Sequence, residues 1–129
     1  MDHEHLDVRI ADGIARVTMN RPDKLNALNA RLVAELNAFF GGLTARSDAR
    51  VVILQGAGRA FCAGLDLAVL APSGARMGVS DMLEQQKGVR DIMLAMRRCP
   101  QPIVGAAQGA ASGGGFALAL ACDIRLVTP

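Results

Sequence analysis

The chain is almost without aromatic residues. Its 129 residues include no tryptophan, no tyrosine and only 4 phenylalanines. Since 51% of the residues are hydrophobic, the core has to be assembled from Ala, Val, Leu, Ile and Met. A core of this kind depends on close backbone packing, which is typical of layered α/β domains. The same scarcity removes the aromatic platforms on which single-stranded nucleic acids stack.

Charge, cysteine pairs and long apolar runs are equally limited. The net charge is only +2 and the charges are mixed along the chain, which argues against a nucleic-acid partner. The three cysteines form no CxxC motif, so zinc and thioredoxin-type sites are not indicated and reduced, cytoplasmic thiols are expected. The longest apolar run, Phe116–Cys122, is too short to cross a membrane. The polar start Met1–His5 does not resemble a secretory signal, and we expect no metal at its histidines.

Apolar periodicity predicts strands alternating with helices in one domain over residues 1–129. Two alternating runs around Asp12-Gly13 predict a β-hairpin. Helical spacing runs from about Asn29 to Gly41-Gly42 and again from about Ser80. Further strands are predicted over 51–54, 103–107 and 123–127, which together favour an α/β fold with right-handed crossovers. The apolar face of the second helix, expected to pack mostly in the core, comprises Met82, Val89, Ile92, Met93 and Met96.

Three consecutive glycines, Gly113-Gly114-Gly115, precede the small apolar run Phe116–Ala121. A glycine triplet loses much backbone entropy on folding, so it needs a geometric reason. One reason is a ligand that approaches bare backbone at a helix N-terminus, where free N–H groups and the helix dipole favour an oxyanion. This would suit acyl chemistry that passes through an enolate or a tetrahedral intermediate. A tight strand-to-helix turn packed under another element explains the triplet equally well.

A second glycine-rich loop, Gly58–Leu67, also follows a predicted buried strand. Neither loop contains the Gly-Lys-Ser/Thr of a phosphate-binding loop or a dinucleotide-binding G-x-G-x-x-G. The chain also lacks the G-x-S-x-G turn of serine hydrolases. The loops therefore favour none of these three chemistries.

Three blocks in order resemble the crotonase superfamily, the enoyl-CoA hydratase/isomerase family: Asn20–Leu28, Arg59–Leu67 and Gly113–Arg125. The resemblance covers nearly the whole chain. It implies a crotonase-like spiral of ββα units with two roughly perpendicular sheets, here truncated before the C-terminal helices. It also implies an acyl-CoA substrate, no cofactor beyond the CoA of that substrate, and a homotrimer or hexamer in full-length members.

The resemblance assigns an oxyanion hole to two backbone N–H groups, those of Leu65 and Gly114, which would hold the thioester oxygen as it becomes an enolate. The loss of one such donor typically costs roughly 3 kcal/mol of transition-state stabilisation. Arg59 could approach a CoA phosphate, and Asp66 is expected to brace its loop rather than to transfer protons. The positions implied to line the substrate channel are Lys24, Leu25, Ala27, Ala63, Asp66, Leu67, Gly113 and Ala117.

One departure from the family pattern affects the expected reaction. Hydratases of the family carry a glutamate two residues beyond the triple glycine, where this chain has Ala117. Hydration of a double bond needs both a base and an acid, so isomerase-like or other single-acid chemistry is favoured. The family's second carboxylate lies beyond the strand that ends near Val127, and Glu84 is expected to be a solvated surface residue. The alternatives are a non-catalytic CoA-ester-binding or assembly protein, or an inactive fragment of a longer enzyme.

Overall fold

A computed structural model describes residues 3–66 and 78–129, in which the first two strands form the predicted hairpin. Strands β1 (Leu6–Ala11) and β2 (Ile14–Met19) pair antiparallel, with Val8 opposite Val17. Asp12 and Gly13 between them have φ values of 54° and 79°. Two consecutive residues at positive φ are what a two-residue turn matching the strand twist requires. The hairpin prediction is confirmed.

Three further strands extend this hairpin into one five-stranded sheet of order β1-β2-β3-β4-β5. They are β3 (Val51–Gly56), β4 (Ile103–Ala107) and β5 (Ile124–Val127), and each pairs in parallel with the strand before it. The predicted strands are therefore confirmed. All four residues of β5 are exposed, although their alternating pattern suggests a half-buried strand.

Helices α1 (Ala30–Gly42), α2 (Val79–Arg98) and α3 (Gly114–Ala121) connect the strands. Short 3-10 turns cover Pro22–Lys24 and Leu43–Ala45. The N-terminus of α1 is capped by Asn29, whose side chain accepts the Leu32 N–H at 2.8 Å. No helix in the described ranges is long and apolar enough to span a membrane.

The core is aliphatic, as the composition predicts. Ala15, Val17 and Met19 of β2 and Val52 and Leu54 of β3 are buried, while the residues between them are more exposed. The face of α2 agrees only in part with the expectation. Met82 lies in the first turns of this 20-residue helix, where the neighbouring residues are exposed, and it is itself 46% exposed. The large apolar side chains that the helices bury are those of Leu32, Leu36, Phe39, Phe40, Ile92, Met96 and Leu118, and the side chain of Glu35 is buried among the helical residues as well.

A second set of backbone contacts lies outside the five-stranded sheet. It consists of two isolated parallel bridges, Leu28–Leu65 and Cys62–Ala111. In the parts of the chain that the structure describes, one five-stranded sheet and these two bridges are present, and the second, roughly perpendicular sheet that the resemblance implies is not formed there. The bridges join the first block to the second, and the second block to the residues just before the triple glycine, and so build the candidate site.

Candidate active site

The two glycine-rich loops touch each other through backbone atoms. Ser112 donates its N–H to the Cys62 carbonyl and its hydroxyl to the Ala63 carbonyl, and both hydrogen bonds are 3.1 Å long. A Cβ placed ideally on Gly64, whose φ is +98°, would lie 2.8 Å from the Ser112 carbonyl oxygen. Gly113 faces Gly64 and also has a positive φ, +55°. Glycine at both positions therefore permits the loops to meet.

Leu65 forms a parallel bridge with Leu28, but its own N–H points away from Leu28. Leu28 donates to the Gly64 carbonyl at 2.7 Å, and Asp66 donates to the Leu28 carbonyl at 3.0 Å. In a parallel bridge of this kind the flanking residues make the hydrogen bonds, so the N–H of the central residue points to the other side. Within residues 3–66 and 78–129, the Leu65 N–H donates to no acceptor.

Gly114 supplies a second unused N–H beside the first. It is the first residue of α3, where N–H groups have no acceptor inside the helix. Its N–H also has no acceptor in the described ranges. Leu65 and Gly114 line one cavity of about 190 Å³ together with Gln86 and Val89. Two free donors, one of them at the positive end of a helix dipole, thus border a space that could hold a polarised carbonyl oxygen.

The buried side chain of Asn26 fixes the first block against the second. Its Oδ1 accepts the Arg21 N–H at 2.8 Å, and its Nδ2 donates to the carbonyls of Ala57 and Ala60 at 2.9 and 3.0 Å. Both Leu25 and Asn26 have positive φ values, 52° and 55°. Asparagine tolerates this left-handed region better than most residues. The role of Asn26 was not predicted from the sequence, although this residue lies within the first block.

An ion pair between Arg21 of the first block and Asp66 of the second holds the loop that contains Leu65 against the first block. Arg21 Nη2 lies 3.1 Å from Asp66 Oδ2, and the two side chains are 11% and 15% exposed. Arg21 Nη1 also donates to the Ala27 carbonyl at 2.6 Å. Asp66 is therefore engaged by a cation from the first block, which agrees with the bracing role expected of it.

The predicted channel residues fall into two groups. Leu25 and Ala63 are partly buried, Ala27 is buried, and the Ala63 N–H donates to the Leu25 carbonyl at 3.0 Å. These residues lie with Gly113 around the junction of the two loops. By contrast, Lys24 is exposed at the end of its 3-10 turn, and Leu67 lies outside the described residues. Arg59, which was predicted to approach a CoA phosphate and not to line the channel, is exposed in its loop.

No carboxylate occupies the position at which family hydratases carry their glutamate. Ala117 lies in α3, is partly buried, and donates its N–H to the Gly113 carbonyl at 3.1 Å. Glu84 borders a neighbouring cavity, but its side chain is 73% exposed and forms an ion pair with Lys87 at 3.3 Å. In the described part of the chain, no group of three or more His, Cys, Asp or Glu residues could hold a metal ion.

The buried thiols near the site are held in their neutral form. Cys62 donates its Sγ–H to the Asn26 carbonyl at 3.1 Å, and burial raises the pKa of this thiol. Burial raises the pKa of the Cys122 thiol to about 11. The thiolate is the nucleophilic form, so neither cysteine is suited to nucleophilic catalysis near neutral pH.

Comparison with known proteins identifies the family and agrees with the fold. The chain matches the enoyl-CoA hydratase/isomerase family over residues 9–128 and belongs to that family, with the fold of the crotonase superfamily. It is 38% identical over 96% of its length to a Rhodobacter capsulatus protein named "Probable enoyl-CoA hydratase", of which it covers 46%. It is 33% identical over 96% of its length to the human mitochondrial Delta(3,5)-Delta(2,4)-dienoyl-CoA isomerase, of which it covers 41%.

Solved structures agree with these sequence relatives. An enoyl-CoA hydratase from Bacillus anthracis superposes with a TM-score of 0.89 at 33% identity, over 96% of this chain and 47% of that one. A monofunctional enoyl-CoA isomerase from M. smegmatis superposes with a TM-score of 0.76 at 34% identity, over 95% of this chain and 49% of that one. The chain thus spans less than half the length of the curated relatives described above.

Proposed function

We propose that the protein binds an acyl-CoA thioester and polarises its carbonyl group between the N–H groups of Leu65 and Gly114. The observation that carries this proposal is a pair of backbone donors beside one small cavity, neither of which meets an acceptor among residues 3–66 and 78–129. An enolate oxygen carries more charge than the carbonyl oxygen from which it forms. Fixed donors at this point therefore stabilise the enolate more than the substrate, which accelerates its formation.

The proposed reaction is a double-bond shift or another single-acid step rather than hydration with two glutamates. Ala117 cannot transfer a proton, and the Glu84 side chain is largely exposed to solvent and forms an ion pair with Lys87. An isomerisation needs one base that removes a proton and returns it to another carbon. Relatives named as isomerases, from human mitochondria and from M. smegmatis, support this choice.

Backbone variants test the oxyanion hole directly. Gly114→Pro removes the N–H at the first position of α3, where proline fits a helix well. Gly114→Ala is the matched control, because it keeps the N–H while its Cβ approaches Leu28 Cδ1, the end of a flexible side chain, at 2.9 Å. With hexanoyl-CoA labelled with ¹³C at its carbonyl, we expect the infrared carbonyl stretch to shift to lower frequency on binding. The shift should persist in Gly114→Ala and shrink clearly in Gly114→Pro.

Affinity gives a second readout of the same donors. A hydrogen bond contributes about 1 kcal/mol, so the thioester should bind roughly fivefold more tightly than the S-hexyl thioether, which lacks the oxygen, for each donor. Gly114→Pro should reduce this ratio about fivefold. A folded Gly114→Pro variant with an unchanged carbonyl stretch and an unchanged ratio would exclude the assignment of Gly114.

The reaction type is tested with 2-hexenoyl-CoA and 3-hexenoyl-CoA. Conversion of the 3-enoyl to the 2-enoyl thioester without a gain of water would support the isomerase proposal. A product heavier by one water molecule would favour hydration instead.

A non-catalytic CoA-ester-binding protein is the second candidate, and the absence of a carboxylate at Ala117 is the observation that favours it. The intact mass of the protein from its own cell separates the two candidates. A mass near 13.5 kDa, with thioester binding but no turnover, would support the binding protein. A larger chain with a further aspartate or glutamate at the site would support the enzyme. A trimer or hexamer, and a cytoplasmic location, are part of the enzyme proposal.

A further inference from the structure

The side chain of Ser112 joins the two loops that carry the proposed donors. Its hydroxyl donates to the Ala63 carbonyl at 3.1 Å, and its N–H donates to the Cys62 carbonyl at the same distance. Ala63 lies two residues before Leu65 in the chain, and Ser112 lies two residues before Gly114. One residue next to the Gly114 donor therefore holds two successive carbonyl groups of the loop that contains Leu65.

The Ser112 hydroxyl acts next to the peptide group that carries the Leu65 N–H. That peptide group joins Gly64 to Leu65, and its carbonyl oxygen accepts the Leu28 N–H at 2.7 Å. Because a peptide group is planar, this hydrogen bond restricts the direction in which the Leu65 N–H can point. The preceding peptide group joins Ala63 to Gly64, and its carbonyl oxygen is the acceptor of the Ser112 hydroxyl. Two neighbouring peptide groups are thus held by hydrogen bonds from different segments of the chain.

Gly64 lies between these two peptide groups and gives the loop little stiffness of its own. Its φ is +98°, in a region that glycine adopts freely because it has no side chain to restrict rotation. A Cβ at this position would come within 2.8 Å of the Ser112 carbonyl oxygen, so a larger and stiffer residue does not fit there. The placement of the Leu65 N–H therefore depends on hydrogen bonds from neighbouring segments.

We propose that Ser112 is a positioning residue, whose hydroxyl sets the distance and direction of the Leu65 N–H relative to the Gly114 N–H. This inference rests on the proposed function, which gives both donors to one carbonyl oxygen. The Gly114 donor is held by backbone contacts at the start of α3, where the Gly115 N–H donates to the Ser112 carbonyl at 2.9 Å. The Leu65 donor is thus the one that moves when the hydroxyl is removed. A displaced donor binds the oxygen more weakly, because a hydrogen bond weakens steeply as its geometry departs from linear.

Ser112→Ala tests the inference, because it removes the hydroxyl and keeps the backbone hydrogen bond to Cys62. The probes are the ¹³C-labelled hexanoyl-CoA and the S-hexyl thioether. We expect Ser112→Ala to lower the ratio of thioester to thioether affinity about two- to fivefold, up to the loss of one donor, and to reduce the carbonyl shift. The thioether lacks the oxygen, so its affinity should change by less than about twofold.

Two further variants serve as controls. Ser112→Thr keeps a hydroxyl at the same position and should retain the wild-type ratio and carbonyl shift. Thr18→Ala removes a hydroxyl that accepts a hydrogen bond from Gln55 Nε2 at 2.9 Å, between β2 and β3. It should also retain both readouts, because it loses a comparable hydrogen bond away from the two loops.

The Gly114→Pro variant shows which donor the hydroxyl acts on. Ser112→Ala should lower the affinity ratio further when it is added to Gly114→Pro, because the two changes affect different donors. An unchanged ratio in this double variant would overturn the assignment of the effect to the Leu65 N–H.

The outcomes separate this inference from the proposed function. If the wild type shows neither a carbonyl shift nor a preference for the thioester, the proposed function fails and this inference fails with it. A wild-type shift and preference that persist unchanged in Ser112→Ala would overturn the positioning role and leave the proposed function intact. Equal losses of thioester and thioether affinity in Ser112→Ala would show a merely structural role and would also overturn the inference.

Discussion

The carbonyl oxygen of Cys62 lies directly against the Cα of Gly115. An ideal Cβ on Gly115 would stand 2.0 Å from that oxygen and 2.7 Å from its carbon, which are backbone atoms that cannot rotate aside. The second loop and the start of α3 therefore pack at a distance that only glycine permits. This contact holds the neighbouring Gly114 N–H against the Leu65 loop.

Gly115→Ala should destabilise the protein strongly. The new methyl group has to displace either α3 or the Cys62 loop, and overpacking of this kind typically costs about 1–3 kcal/mol or more. Gly41→Ala in α1 is the control, since a Cβ there meets nothing within 4 Å and should stabilise the helix by up to about 1 kcal/mol. Urea unfolding monitored by circular dichroism measures both changes. Equal stability of the two variants would contradict the close packing of Gly115.

Glu35→Gln should loosen the beginning of the chain. Glu35 is fully buried, its two carboxylate oxygens accept the N–H groups of Glu4 and His5, and its Oε1 lies 3.4 Å from Arg31 Nε. The amide of glutamine carries no charge and offers one acceptor in place of two, so one partly buried N–H and Arg31 both lose a partner, at a cost of about 1–3 kcal/mol. Unfolding in urea and amide hydrogen exchange at Glu4 and His5 test this. Glu84→Gln on the surface is the control and should change stability by no more than about 0.5 kcal/mol.

Asp66→Asn should weaken the brace between the first and second blocks. The ion pair with Arg21 is nearly buried, and removal of one partner leaves the other charge poorly compensated. After allowance for its residual exposure, we expect a loss of about 1–3 kcal/mol. Asp7→Asn, which removes the exposed pair with Arg9, is the matched control and should cost less than about 1 kcal/mol. Thermal unfolding of the two variants compares them, and equal losses would show that Asp66 does not brace the loop.

The free energy of unfolding should fall as the pH rises from about 9 to about 11. Burial raises the pKa of Cys122 from 9.0 to about 11, so the folded chain holds this proton more tightly than the unfolded chain. The resulting stabilisation is complete below the unfolded pKa and is lost as the pH passes through the folded one, by up to about 2–3 kcal/mol. Urea unfolding across this range measures the slope. Cys122→Ala should reduce the slope, and the remainder includes contributions from Cys62 and Cys99, because burial also raises the pKa values of these thiols. An unchanged slope in that variant would assign it to other groups.

Local chemistry made much of the fold predictable. Asp12-Gly13 predicted the hairpin because few other pairs tolerate two positive φ values in succession. The continuous apolar run Val51–Leu54 predicted a strand buried on both faces, and the structure agrees in part, because Val52 and Leu54 are buried while Val51 and Ile53 are half-buried. The exposure of β5 was not predictable in this way. Alternation indicates that residues face opposite sides of a strand, but it does not reveal what covers either side.

The candidate site depended on resemblance rather than on local pattern. Nothing in the residues next to Leu65 indicates that its N–H is unused, since this follows from a bridge to the distant Leu28. The contacts of Asn26 with Ala57 and Ala60 are also long-range, so the sequence alone could not indicate its bracing role. The matching blocks supplied the assignment of Leu65 and Gly114, which stays a prediction until the backbone variants are tested.

The N–H of Leu65, which meets no acceptor among the described residues, belongs to the backbone, whereas its side chain lines two neighbouring cavities. Every amino acid except proline would provide the same N–H at this position. On the proposed function, residue 65 can therefore change in side-chain size and still polarise the carbonyl. The shape of the cavities and the chemical activation share one residue but are encoded separately, one in its side chain and the other in its backbone.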